Sequence, residues 1–130
     1  MVKSLRETTG AGIMDSKRAL EEAEGDESRA IELLREKGLA SAAKRAGRAT
    51  SEGVIESYIH SGNRVGALVH LSSETDFVAR TDEFSELAKE LAMQVAAMNP
   101  RFVDRDSVPE DAGEVANEEL LMEQAYIRDP

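Results

Sequence analysis

The sequence contains no cysteine, which excludes a disulfide framework and any thiolate metal site and suits a reducing cytoplasmic setting. No stretch approaches the roughly 20 consecutive apolar residues that a membrane helix needs. The opening MVKSLRETTG lacks the apolar run of a signal peptide, so a soluble chain with no membrane partner is expected. Positive charge is the third scarcity. Lys and Arg number 16 against 26 Asp and Glu, a formal net charge of −10 over 130 residues. The phosphate neutralisation that drives nucleic-acid affinity is therefore poorly supplied unless the cations gather on one patch. The best patch, Lys44, Arg45 and Arg48 in AAKRAGR, reads more simply as a solvated helix end than as an RNA contact. The length allows one ordinary domain, or a small module joined to a slightly larger one, with a modest core.

Residues 1–38 read as a miniature bundle of three helices. Val2 and Leu5 begin an apolar stripe that Gly10 and Gly12 interrupt; Asp15 is placed to cap a second helix burying Ala19, Leu20 and Ala23, and Gly25 to close it in a left-handed cap. Asp26 caps a third helix, whose Ala30, Ile31, Leu33 and Leu34 have the i, i+3, i+4 spacing of one buried side, and Gly38 is expected to end it. Ile13 and Met14 fall in the glycine loop between helices one and two, as core plugs or as an exposed contact patch. Residues 39–52 read as a helical extension passing into a polar linker.

After Gly53 the period changes to two. GVIESYIH and RVGALVHLS place Ile55, Ser57 and Ile59 on one side of a first strand and Val65, Ala67, Val69 and Leu71 on one side of a second, with Gly62 and Asn63 as the turn. A two-stranded hairpin is marginal alone, and the segment from Asp82 supplies its cover: Phe84, Leu87, Ala88, Leu91, Val95 and Met98 recur at helical spacing until Asn99-Pro100 stops the helix. The predicted fold class is thus α+β, with residues 53–104 as the hairpin-plus-helix core. Residues 105–130 form an acidic tail, open to being part of a truncated core, whose one apolar run is LLMEQAYI.

Phe77 poses the sharpest question. Extending the long helix's stripe backward by seven positions lands on Phe77 and would bury it beside Phe84, and periodicity favours that placement. Thr75 and Asp76, followed by Arg80-Thr81-Asp82, offer instead two successive sets of capping residues, and a break between them would turn Phe77 outward. A catalytic reading would have to recruit His60, His70 and Asp76. The two histidines are not opposite one another in the hairpin and no Ser or Cys nucleophile motif lies nearby, so no covalent chemistry is expected. A metal site on the same pair lacks a third ligand.

TGAGIMDSKRAL, KGLASAAKRAGR, EGVIESYIH and above all ETDFVAR at Glu74–Arg80 together, and in that order, resemble elongation factor Ts, the family of nucleotide exchange factors for elongation factor Tu. The resemblance covers residues 1 to about 104. It implies a ubiquitin-associated-like N-terminal bundle, an α+β core, and an exchange factor that binds no nucleotide itself and needs no cofactor. It implies that Asp76 and Phe77, flanked by Thr75 and Val78, project from a helix start into the partner's GTP-binding domain near its magnesium and phosphate site. Arg6, Ile13 and Met14 would contact the same domain from the bundle, which favours an exposed loop there. Against the family pattern, members continue past EQAYIRDP into a glycine-containing strand that completes the sheet. An edge short of that strand invites a homodimer. A non-catalytic protein-binding module acting through the bundle is the competing function.

Overall fold

The computed structural model describes residues 1–128. They form two compact units, residues 1–48 and a second unit beginning at Ala49.

The first unit is three helices, α1 (Val2–Thr9), α2 (Ile13–Glu22) and α3 (Glu27–Arg45). Leu5, Ala19, Leu20, Ala23 and Ala30 form its core, with Val2, Ile31, Leu33 and Leu34 packed around them. Asp26 caps α3 as expected, its carboxylate accepting the Arg29 N–H at 3.1 Å. Three local expectations are corrected. Asp15 does not cap α2: Gly12 holds that position, and Asp15 sits in the first turn, ion-paired with Lys37, which holds its carboxyl below the usual range. The left-handed residue that closes α2 is Glu24 (φ 52°), with Gly25 (φ 86°) behind it donating its N–H to the Leu20 carbonyl at 2.8 Å. Finally, Gly38 does not end α3, which runs on to Arg45. A mid-helix glycine costs only about 1 kcal/mol relative to alanine, and the alanine-rich sequence after it, LASAAKR, carries the helix through.

The second unit is an antiparallel hairpin, β1 (Glu52–Ile59) and β2 (Gly66–Ser73), followed by a single helical turn α4 (Asp76–Ala79) and the long helix α5 (Asp82–Met98). Gly62 and Asn63 both take positive φ in the turn, 95° and 57°. Helix α5 packs across one face of the hairpin. The completely buried Ala88 and Ala92 let its backbone come close. The covered face is Val54, Glu56 and Tyr58 on β1, opposite Leu71, Val69 and Ala67 on β2. Of the side read for the second strand, Ala67, Val69 and Leu71 are covered, while Val65 lies before β2 and is exposed; the side read for the first is corrected, since Ile55, Ser57 and Ile59 point outward, with Ile55 and Ile59 69% and 61% exposed. Period two marked two sides of β1 without saying which is buried, and Glu56 concealed the answer. Its carboxylate is accommodated on the covered face by the Ser85 hydroxyl, 2.7 Å away.

Beyond Asn99, whose left-handed backbone (φ 45°) terminates α5, the described residues continue through three short 3-10 turns. Phe102 and Leu120 form a parallel bridge, and Leu120 is completely buried. Tyr126 then returns to α5, its hydroxyl donating to the Glu90 carboxylate at 2.8 Å. Burial, and secondarily that bond, pushes the phenol up to about 12 from its ordinary value of 10. Since the folded chain keeps a proton that the unfolded chain releases, stability is full below pH 10 and is lost as pH rises towards 12. Tyr126→Phe is therefore expected to be less stable than the parent at pH 8 and to narrow that gap as pH rises from 10 towards 12, as measured by urea titration followed by circular dichroism.

Candidate functional site

Strand β2 delivers the chain to Ser73, and two residues later Thr75 starts α4 in an extended conformation (φ −133°) with its hydroxyl oxygen accepting the Val78 N–H at 3.4 Å. The turn is closed by the Ala79 N–H to the Thr75 carbonyl at 3.3 Å and the Arg80 N–H to the Asp76 carbonyl at 3.0 Å. Thr81 then ends one helix and begins the next: its hydroxyl donates to the Val78 carbonyl at 2.8 Å and accepts the Phe84 N–H at 3.3 Å. Two threonine caps six residues apart thus divide what periodicity would join. The continuous helix that would have buried Phe77 beside Phe84 does not form.

The division decides what is presented. Ala79 is the buried residue of α4, while Phe77 is 83% and Val78 45% exposed. The Asp76 carboxylate lies 3.3 Å from the Arg80 guanidinium one turn on. A negative charge in the first turn is favoured by the helix dipole. The arrangement is an exposed apolar ring and an acid at adjacent positions on a tethered turn. No group of three or more ligand-type side chains able to hold a metal occurs among the described residues. His60 and His70 are both exposed, with His70 paired across the hairpin to Ile55.

The other three residues singled out lie in the first unit. Ile13 and Met14 are not in a loop but are the first two residues of α2, 57% and 60% exposed. Gly12 takes the N-cap position, and within the first turn Ser16 is completely buried while Ile13 and Met14 face solvent. Arg6, exposed on α1, reaches across the connecting turn to donate its Nε–H to the Ala11 carbonyl at 3.4 Å, so all three residues belong to the α1–α2 corner. A recess of about 300 Å³ in this unit, lined by Asp15, Leu33, Leu34 and Lys37 among others, includes none of them. Two supporting residues escaped the sequence reading. Arg80 appeared there only as part of a cap sequence, and Ser73 was assigned no role. A hydroxyl residue ending a strand two positions before a threonine cap is the signal that could have found Ser73.

The family profile described as Elongation factor TS matches residues 12–128. The elongation factor Ts of Carboxydothermus hydrogenoformans is 59% identical over 125 residues, which cover 96% of this chain and 57% of the relative. That of Thermotoga neapolitana is 57% identical over 129 residues, 99% of this chain and 64% of the relative. That of Thermoanaerobacter sp. is 48% identical over 159 aligned positions, 99% of this chain and 78% of the relative. The chain therefore spans less than two thirds of the first two relatives. With most of its length inside the profile and over half its positions shared with those two relatives, the chain belongs to the elongation factor Ts family.

Proposed function

We propose that this chain acts in the cytoplasm as a guanine nucleotide exchange factor, releasing GDP from elongation factor Tu by inserting Phe77 and Asp76 near the magnesium and phosphate site of its GTP-binding domain. The observation that carries the reading is the 83% exposure of the Phe77 ring on a turn fastened at both ends. Aromatic side chains bury large area when they find a pocket, and one left in water beside an acid is suited to a partner. Exchange then follows from differential binding. A wedge that fits only a rearranged phosphate site weakens nucleotide by the same factor by which nucleotide weakens the wedge. The factor itself makes and breaks no bond and binds no nucleotide. Stopped-flow release of fluorescent GDP from elongation factor Tu tests the whole reading: strong acceleration is expected, and an unaltered release rate sinks it.

Arg6, Ile13 and Met14 supply a second contact with the same domain. Removing the two apolar side chains in Ile13→Ala/Met14→Ala is expected to raise the half-saturating factor concentration about tenfold while leaving the saturating release rate within about twofold, since a remote contact that is equal in ground and transition states changes binding alone. The exposure of Ile13 and Met14 also favours the competing reading, a non-catalytic module that binds only through its N-terminal helices. On that reading the double variant abolishes binding and Phe77→Ala changes nothing.

A homodimer is part of the proposal. Among the described residues each hairpin strand has a hydrogen-bonded neighbour on one side only, and an open edge is a template for a second copy. Sedimentation equilibrium yielding a single monomeric mass at working concentration removes this element and leaves the exchange reading in place.

A further inference from the structure

Helix α4 is one turn of four residues, and a single turn meets the cost of helix nucleation with almost no elongation to offset it. Its packing gives little help, because Ala79 is its buried residue while Phe77 and Val78 face solvent. The Thr75 and Thr81 caps close the turn on itself, and the direction in which the ring points depends also on how the turn is joined to the strand before it. Ser73 is the last residue of β2, paired across the hairpin with Glu52 and only 6% exposed. Its hydroxyl donates to the Thr75 carbonyl at 2.8 Å. That oxygen is also the acceptor of the Ala79 N–H, the first bond of the turn. One buried hydroxyl thus links the N-cap peptide of α4 to the framework of the sheet. The peptide it grips joins Thr75 to Asp76, so its rotation sets where the Asp76 and Phe77 side chains leave the backbone.

We propose that Ser73 is a positioning residue for the Asp76–Phe77 pair, preorganising α4 so that the ring meets its partner without a further ordering cost. The proposal rests on the exchange reading above and deepens it. The competing explanation is purely local. A buried hydroxyl must donate to something, and the Thr75 carbonyl is simply within reach. The two differ in consequence, because ordering that is lost from the free protein must be supplied on binding.

The test compares the parent, Ser73→Ala, Ser73→Cys, Phe77→Ala and Ser73→Ala/Phe77→Ala in GDP release from elongation factor Tu over a range of factor concentrations, with amide hydrogen exchange on each free protein. Ser73→Ala is expected to raise the half-saturating concentration about three- to tenfold with the saturating rate unchanged. Exchange at Ala79 and Arg80 should quicken while the amides in the middle of α5 keep their protection. Ser73→Cys recovers part of the effect, since a thiol donates weakly. In the Phe77→Ala background the serine substitution should change half-saturation no further, although the amides still loosen. Unchanged half-saturation in Ser73→Ala overturns the proposal, as does an equal loss with and without the ring, or loosening spread through α5. If the parent fails to accelerate release, the exchange reading falls and Ser73 is judged by the amides alone: loosening confined to α4 upholds its positioning role, and intact protection at Ala79 and Arg80 overturns it.

Discussion

Phe77→Ala is expected to leave the fold as stable as the parent and to lower the ratio of saturating release rate to half-saturating concentration at least roughly 30-fold, the equivalent of about 2 kcal/mol for an aromatic hot spot entering a desolvated pocket. The two halves of the expectation come from one fact. A ring 83% exposed contributes almost nothing to its own molecule's core, so its removal should shift the unfolding free energy by no more than about 0.5 kcal/mol. Loss of activity with loss of stability would mean that the ring is structural after all. Phe77→Leu separates area from shape: it keeps an apolar group of similar reach but lacks the flat ring, and intermediate activity is expected. Asp76→Ala should also lose activity, because it removes both the carboxylate and the partner of Arg80. Equal release rates for parent, Phe77→Ala and Asp76→Ala would reject this assignment of the site.

How much of this was legible in the sequence depended on whether a local signal had a local cause. The caps at Asp26, Thr75 and Thr81 are interactions between residues three apart, so residue type and spacing were sufficient to nominate them. The hairpin turn at Gly62-Asn63 was legible for the same reason. The inward side of β1 was not, because it is fixed from outside the strand: β2 sets the register, α5 chooses the face, and Ser85 makes Glu56 tolerable there. Gly38 misled because a glycine signals a helix end only where the chain turns left-handed, and α3 does not turn there. Phe77 sat between these cases. Its periodic position and its flanking caps gave opposite answers, and the caps prevailed because each closes a hydrogen bond that a continuous helix would have to replace. Family resemblance, rather than periodicity, had pointed the same way. The role of Ser73 stayed hidden because a hydroxyl's direction in a strand depends on the sheet around it.

Gln94 was passed over altogether, and it carries the second large expectation. Helix α5 was read as having one buried stripe, but it is covered on two sides: the hairpin packs along one, and the chain's return past residue 120 lies on another. Gln94, 1% exposed, faces that return. Its amide nitrogen donates to the Gln124 side-chain oxygen and to the Ala125 carbonyl, both at 3.1 Å, and its oxygen accepts the Ile127 N–H at 3.0 Å. Two of those partners are backbone groups, which no rotamer change can redirect. Gln94→Leu preserves most of the volume while removing every bond, and the cost of leaving buried polar groups unpaired, about 1 to 3 kcal/mol for each, predicts a loss of about 3 kcal/mol from the second unit. Gln94→Glu keeps an acceptor for Ile127 but cannot donate and brings a charge beside Glu90, so it should be no better. The measurement has a built-in reporter. The chain's two tyrosines, Tyr58 and Tyr126, both lie in the second unit, so tyrosine fluorescence during urea unfolding follows that unit while circular dichroism also registers the helices of the first. The fluorescence midpoint should fall in both variants and the first unit's transition should stay in place. A Gln94→Leu variant as stable as the parent would show that the C-terminal segment is held by Leu120 and Tyr126 instead, and that the amide merely occupies the space between them.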